Sequence, residues 1–152
     1  MSANIEKIAY ACDHRGLEFK KIIFDYLRKN HLEPVDCGTF NEESCDYNDF
    51  MIKAAEMIRD GKCQRAIGVC HTGIGSSIMA NKVKGVRASL VHNEEEASLT
   101  RAHNDSNMLI LGSGFLDSSK IEPILKAWLN TSFEGGRHER RVNKIKEYEQ
   151  TH

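Results

Sequence analysis

The sequence predicts an α/β fold, an open parallel sheet of five strands covered by helices on both faces. Three observations predict it. Short apolar runs alternate with longer stretches whose apolar residues recur at helical spacing, and the alternation repeats along the chain. The short runs are almost continuously apolar, as in strands buried on both sides. There is no linker, no internal repeat and a total of only two prolines, so the 152 residues read as one domain, 1–152.

Ile8 to Cys12 is the first strand, and Phe19, Ile22, Ile23, Tyr26 and Leu27 then repeat at helical spacing. A short extended piece, Pro34 to Cys37, precedes a second helical stripe of Phe50, Met51, Ala54, Ala55 and Ile58. Ala66 to Cys70 is the third strand and runs into a glycine-rich turn, which opens a helix over Ser76 to Lys82. Val86 to Val91 and Met108 to Leu111 are two further strands, separated by a polar segment from Asn93 to His103. Ile121, Ile124, Leu125, Trp128 and Leu129 mark the clearest helix. After the Gly135-Gly136 break, the charged stretch from Arg137 to Gln150 reads as a last helix.

Composition narrows the function. Twenty-one Lys and Arg stand against 22 Asp and Glu, a net charge of −1, which argues against binding nucleic acid or an anionic membrane. Hydrophobic residues at 40% and charged residues at 28% make a globular mixture. No apolar run approaches the roughly 20 residues that cross a bilayer, and Met1 to Glu6 lacks the character of a signal peptide. Five cysteines, with no C-x-x-C pair, read as reduced thiols of a cytoplasmic protein rather than a disulfide framework or a zinc site.

In a parallel sheet, ligands collect at the carboxyl ends of the strands. Strand one ends in Cys12-Asp13-His14, strand three in Cys70-His71-Thr72-Gly73-Ile74-Gly75-Ser76-Ser77, and the polar segment after strand four closes with His103-Asn104-Asp105. The free N–H groups of Gly73 to Ser77, at a helix start, suit a phosphate or an enediolate oxygen, against the alternative of a turn that binds nothing. Cys70 stands just before that helix, where the dipole favours a thiolate that could act as nucleophile or base. A phosphate-cleaving thiol needs Cys-x5-Arg; Ser76 occupies the arginine position, so that chemistry is excluded. Cys37, Cys45 and Cys63 read as small buried hydrophobes. His103 has the alternative of capping a helix end, and Asp13-His14 that of capping the first helix. No histidine pair lies at i, i+4 on a helix face, so no metal is expected. Arg137 and Arg141, four apart on one helix face, can grip a phosphate, against the alternative of a solvated basic face.

Taken in order, these residues resemble the type B ribose-5-phosphate isomerases, a family shared with galactose-6-phosphate isomerase subunits. The resemblance rests on Cys12-Asp13-His14, Asp46-Tyr47, Cys70-x-Thr72-Gly73-Ile74-Gly75 and Ala80-Asn81-Lys82-Val83. It continues through Gly85-Val86-Arg87-Ala88, His103-Asn104-Asp105-x-Asn107 and Glu134-Gly135-Gly136-Arg137-His138. It implies a three-layer α/β/α sandwich around a five-stranded, Rossmann-like parallel sheet. It also implies a homodimer or tetramer with its active sites between subunits and a C-terminal helix reaching the partner. The implied reaction interconverts ribose 5-phosphate and ribulose 5-phosphate without a metal or other cofactor. One branch of the family uses a cysteine base and another a glutamate at the position of Ser76, so Cys70 puts this chain in the thiol branch.

Carried over, Cys70 moves the proton between C1 and C2, Thr72 sits beside the sugar hydroxyls, and the amides of Gly73, Ile74, Gly75, Ser76 and Ser77 hold the enediolate oxygen. His103, with Asp13 near, assists ring opening; Asn104 and Tyr47 contact substrate; His14, Arg137 and Arg141 bind phosphate. Three residues depart from the family's pattern. His71 replaces a common glycine, Gly114 a frequent phosphate-binding arginine, and Asn48 a frequent proline. These departures keep alternatives open: a six-carbon substrate such as allose 6-phosphate or galactose 6-phosphate, or a phosphosugar-binding module without catalysis. A thiol redox enzyme is disfavoured because no second cysteine lies close to Cys70 in sequence.

Overall fold

The structure, a computed structural model, describes residues 5–152; the expectation drawn from Met1 to Glu6 falls largely outside that range. Five strands, β1 (Lys7–Cys12), β2 (Glu33–Asp36), β3 (Arg65–Cys70), β4 (Ala88–Leu90) and β5 (Met108–Gly112), form one sheet in the order β2-β1-β3-β5-β4. Every pairing is parallel. Six helices accompany them: α1 (Leu17–Lys29), α2 (Tyr47–Arg59), α3 (Ile74–Ala80), α4 (Glu94–Asn104), α5 (Ile121–Asn130) and α6 (Arg137–Thr151).

Each strand feeds both faces of the sheet, because successive side chains point to opposite sides. Ile8, Tyr10, Ile67, Val69, Leu109 and Leu111 pack against Phe19, Ile23 and Leu27 of α1, Ala97 of α4, and Ile121, Leu125 and Trp128 of α5. The intervening residues Ala9, Ala11, Ala66, Met108 and Ile110 meet Met51, Ala54 and Ala55 of α2 and Ala80 of α3. Small residues on this second face let α2 lie close: a side chain at Gly68 would sit 2.7 Å from Met51 Sδ. The result is a three-layer sandwich with its core on both sides of β1, β3 and β5. The fully buried Trp128 spends its one polar atom on a 3.0 Å hydrogen bond from Nε1 to Ser106 Oγ.

Four local expectations change. The polar segment after β4 is a full helix, α4, opened by the Asn93 side chain, which accepts from the Glu96 amide at 2.8 Å. It buries only Ala97, Thr100 and Ala102, a stripe too small to stand out as apolar periodicity. Strand four pairs over Ala88–Leu90 alone, and α3 begins at Ile74 rather than Ser76, since Gly73 already makes the turn. α1 begins after Gly16, so Asp13 does not cap it; the Asp13 carboxylate instead accepts from the Arg15 amide at 2.8 Å.

Candidate functional site

Cys70 ends β3, the central strand, with 4% of its surface exposed. Gly73 turns the chain back at φ +77°, a conformation that glycine reaches without strain, and its amide donates to Cys70 Sγ at 3.3 Å. The Ile74 amide donates to Thr72 Oγ1 at 3.1 Å and the Ser77 amide to the Gly73 carbonyl at 3.0 Å. Three amides of the expected anion-holding set are thus already engaged. Among the described residues, those of Gly75, half-buried, and Ser76, fully buried, meet no acceptor. Ser76 keeps its side chain fully buried, with Oγ unpartnered.

The neighbouring strand tips wall this loop. At the end of β1, Asp13 is buried, and His14 follows with its Nδ1 3.8 Å from Cys45 Sγ. Tyr47 packs against the loop; a Cβ at Gly75 would come within 2.5 Å of its ring. Beyond β5, the Ser113 and Gly114 amides donate to the Cys70 and His71 carbonyls at 2.9 and 2.8 Å, tying the loop down from the other side. Burial pushes the Cys12 thiol up to about 11 and raises Cys37 and Cys63 as well.

The second group of expected residues lies elsewhere. Sequence position suggested that His103 joins the thiol at a strand end; instead it sits in the last turn of α4, which runs back along the sheet. β5 starts four residues after Asn104, and its Met108 pairs with Ala66 while its Gly112 pairs with Cys70. His103 and Asn104 therefore mark the amino edge. The length of β3, roughly 16 Å at about 3.3 Å per residue, separates them from Cys70 and from Asp13 within one chain.

That amino edge is built from helix ends. The terminus of α4 is pinned by Arg101, whose Nη1 contacts Asp105 Oδ1 at 2.9 Å and the Ser106 carbonyl at 2.6 Å, and by Arg87 on the Asp105 carbonyl at 2.8 Å. His103 stacks on His138 with ring centroids 4.1 Å apart and planes 8° from parallel. His138 is buried at the start of α6, with Nε2 3.5 Å from Glu134 Oε2, and the Glu134 amide donates to the Ala102 carbonyl at 3.0 Å. Burial, then the neighbouring His103 and Arg137 charges, hold the His138 imidazole below its ordinary range. Arg137 and Arg141 are exposed on the same helix, and neither enters an ion pair among the described residues.

His103, Glu134 and His138 bring three possible ligand atoms within 4.8 Å of one another. Two parallel stacked rings aim their nitrogen lone pairs alongside each other rather than at one point, which suits a packing contact better than a metal. Glu134 and His138 belong to the motif that carries the resemblance but were given no role from sequence, since the inward orientation of His138 depends on the fold. Cys45 gave none, lying 31 residues from His14.

Comparison with known proteins defines the class of protein that carries this thiol and glycine loop. The chain matches the ribose/galactose isomerase family over residues 8–145 and belongs to it. Ribose-5-phosphate isomerase B of Escherichia coli is 38% identical over 146 residues, covering 96% of this chain and 98% of that one. The structure of ribose-5-phosphate isomerase B from Clostridium thermocellum is 44% identical, with a TM-score of 0.92 over 95% of this chain and 98% of that one. The enzyme of the same name from Mycoplasma genitalium, solved with bound ribulose 5-phosphate, is 39% identical with a TM-score of 0.93, over 98% of this chain and all (100%) of that one. Among the described residues no helix is long and apolar enough to cross a membrane.

Proposed function

We propose that this protein interconverts D-ribose 5-phosphate and D-ribulose 5-phosphate, with Cys70 as the base and without a metal. One observation supports this most: the Cys70 sulfur lies under the same loop that leaves the Gly75 and Ser76 amides without acceptors. A proton leaves C2 of the open-chain aldose for the thiolate. The electron pair moves to form the C1–C2 double bond of an enediolate, whose oxygen the two amides stabilise as charge develops. The thiol returns its proton to C1, and a proton passes between O1 and O2, giving the ketose. Thr72 faces the sugar hydroxyls, and Tyr47 closes the wall beside Gly75.

His103, Asn104, Arg137 and Arg141 lie too far from Cys70 to join it within one chain, so we assign them to the site of a second copy. Ring opening falls to His103 with the other copy's Asp13, substrate contact to Asn104, and phosphate binding to the two arginines with His14. The exposed Ile74 and Ile78, one helical turn apart on α3, and Ile145 and Tyr148 on α6 support a covered interface. The five free thiols are consistent with a cytoplasmic enzyme.

The test is conversion of ribose 5-phosphate in the presence of a chelator, compared with allose 6-phosphate and galactose 6-phosphate. Turnover of the pentose is expected to exceed that of both hexoses. Cys70→Ala should lose at least about a thousandfold in kcat while still binding substrate and unfolding at an unchanged temperature. Binding by the native protein without exchange of the C2 proton would make it a binding module instead.

A further inference from the structure

The loop that holds Cys70 also presents an imidazole that the reaction above leaves unused. His71 is exposed between Cys70 and Thr72, on the β5 side of the thiol, opposite Asp13 and His14 on the β1 side. Its ring lies directly over Gly114. A Cβ on Gly114 would stand 2.2 Å from Cε1, 2.5 Å from Nδ1 and 2.8 Å from Nε2 of that ring. No side chain can occupy position 114 while the imidazole stays there, and the glycine is what allows the ring to lie on the tip of β5. Phe115 closes the far side, with ring centroids 5.9 Å apart and planes tilted by 53°. The backbone beneath is fixed by the Gly114 amide on the His71 carbonyl and the Ser113 amide on the Cys70 carbonyl. Among the described residues, no carboxylate pairs with the His71 ring.

A confined, solvent-facing ring with no protein partner, one residue from the reacting thiol, is placed to meet a ligand. We propose that His71 is a specificity-determining residue whose ring N–H donates to an oxygen of the sugar phosphate on the β5 side of the thiol. Gly114 and Phe115 hold the ring in position for that contact. The proposal rests on the isomerase reading above and adds to it the group that selects among phosphorylated sugars.

The test compares His71→Ala, His71→Asn, Gly114→Ala and the double variant His71→Ala/Gly114→Ala. The measurements are kcat and KM for ribose 5-phosphate, calorimetric binding of ribulose 5-phosphate, inhibition by inorganic phosphate, and Tm. Loss of one hydrogen bond to a charged or polar oxygen should raise KM about tenfold in His71→Ala, with kcat within about threefold of wild type. His71→Asn keeps a donor and should recover most of that loss. Gly114→Ala should raise KM similarly by displacing the ring, and the double variant should be no worse than His71→Ala, because both changes remove the same contact.

An unchanged KM in His71→Ala overturns the proposal, as does a double variant whose losses multiply, or a KM rise that follows Tm and is not rescued by asparagine. Weaker inhibition by inorganic phosphate in His71→Ala identifies the phosphate as the acceptor, and unchanged inhibition identifies a sugar hydroxyl. If the native protein binds ribulose 5-phosphate in a His71-dependent way but does not turn over, the contact stands and the reaction falls. If it neither binds nor turns over, both fall.

Discussion

The two edges of the sheet carry their candidate functional groups in different ways. At the carboxyl edge, Cys70, Thr72 and the Gly75 and Ser76 amides hang from a strand tip and the turn after it. Backbone hydrogen bonds from Ser113 and Gly114 fix them there. At the amino edge, His103, Asn104, Arg137 and Arg141 ride on the ends of two helices, held by side chains such as Arg101 and His138. The first arrangement places atoms to within a bond length, which proton transfer at carbon requires. The second presents long exposed cations, suited to gripping a charged group at a distance from the reacting carbons. In the proposed reaction neither edge suffices alone, and the length of the strands keeps them apart within a chain.

The largest effect expected at the amino edge comes from removing its cations. Each charge-assisted hydrogen bond is worth about 1.5–3 kcal/mol, so Arg137→Ala/Arg141→Ala should lower kcat/KM for ribose 5-phosphate by at least about a hundredfold. Because both guanidinium groups are exposed and unpaired among the described residues, Tm should not move. A comparable loss on an unphosphorylated pentose would dissociate the arginines from phosphate.

A smaller effect sharpens the contrast in how the edges are held. His138 is kept below its ordinary range in the folded chain, while the unfolded chain binds a proton near pH 6.5. The stability this group gives is therefore fully present above about pH 6.5 and is lost as pH falls through the window beneath it. Thermal unfolding between pH 7.5 and 5 should show that loss, and His138→Gln should flatten it. An equal slope in the variant would assign the acid sensitivity to other groups.

The carboxyl edge was legible in the sequence because its chemistry is local. An apolar run buried on both sides, ending in Cys70 and followed by glycines, specifies strand, tip and turn within ten residues. The amino edge was legible as residues but not as a place. α4 buries only Ala97, Thr100 and Ala102, so its helical period is faint, and without that helix His103 falls at the wrong end of the sheet. The Cys45 contact to His14 and the seating of His71 over Gly114 join segments 31 and 43 positions apart in sequence. Such contacts depend on strand order, and periodicity does not report it.

Subunit mixing tests directly whether Cys70 of one copy works with the arginines of another. Cys70→Ala and Arg137→Ala/Arg141→Ala, each inactive at low substrate, should be co-expressed under two different tags and the hybrids counted. With random pairing, half the dimers are hybrid and each rebuilds one of its two sites, so isomerase activity should return to about a quarter of the native level. A mixture that forms hybrids and stays inactive would contradict a site shared between copies.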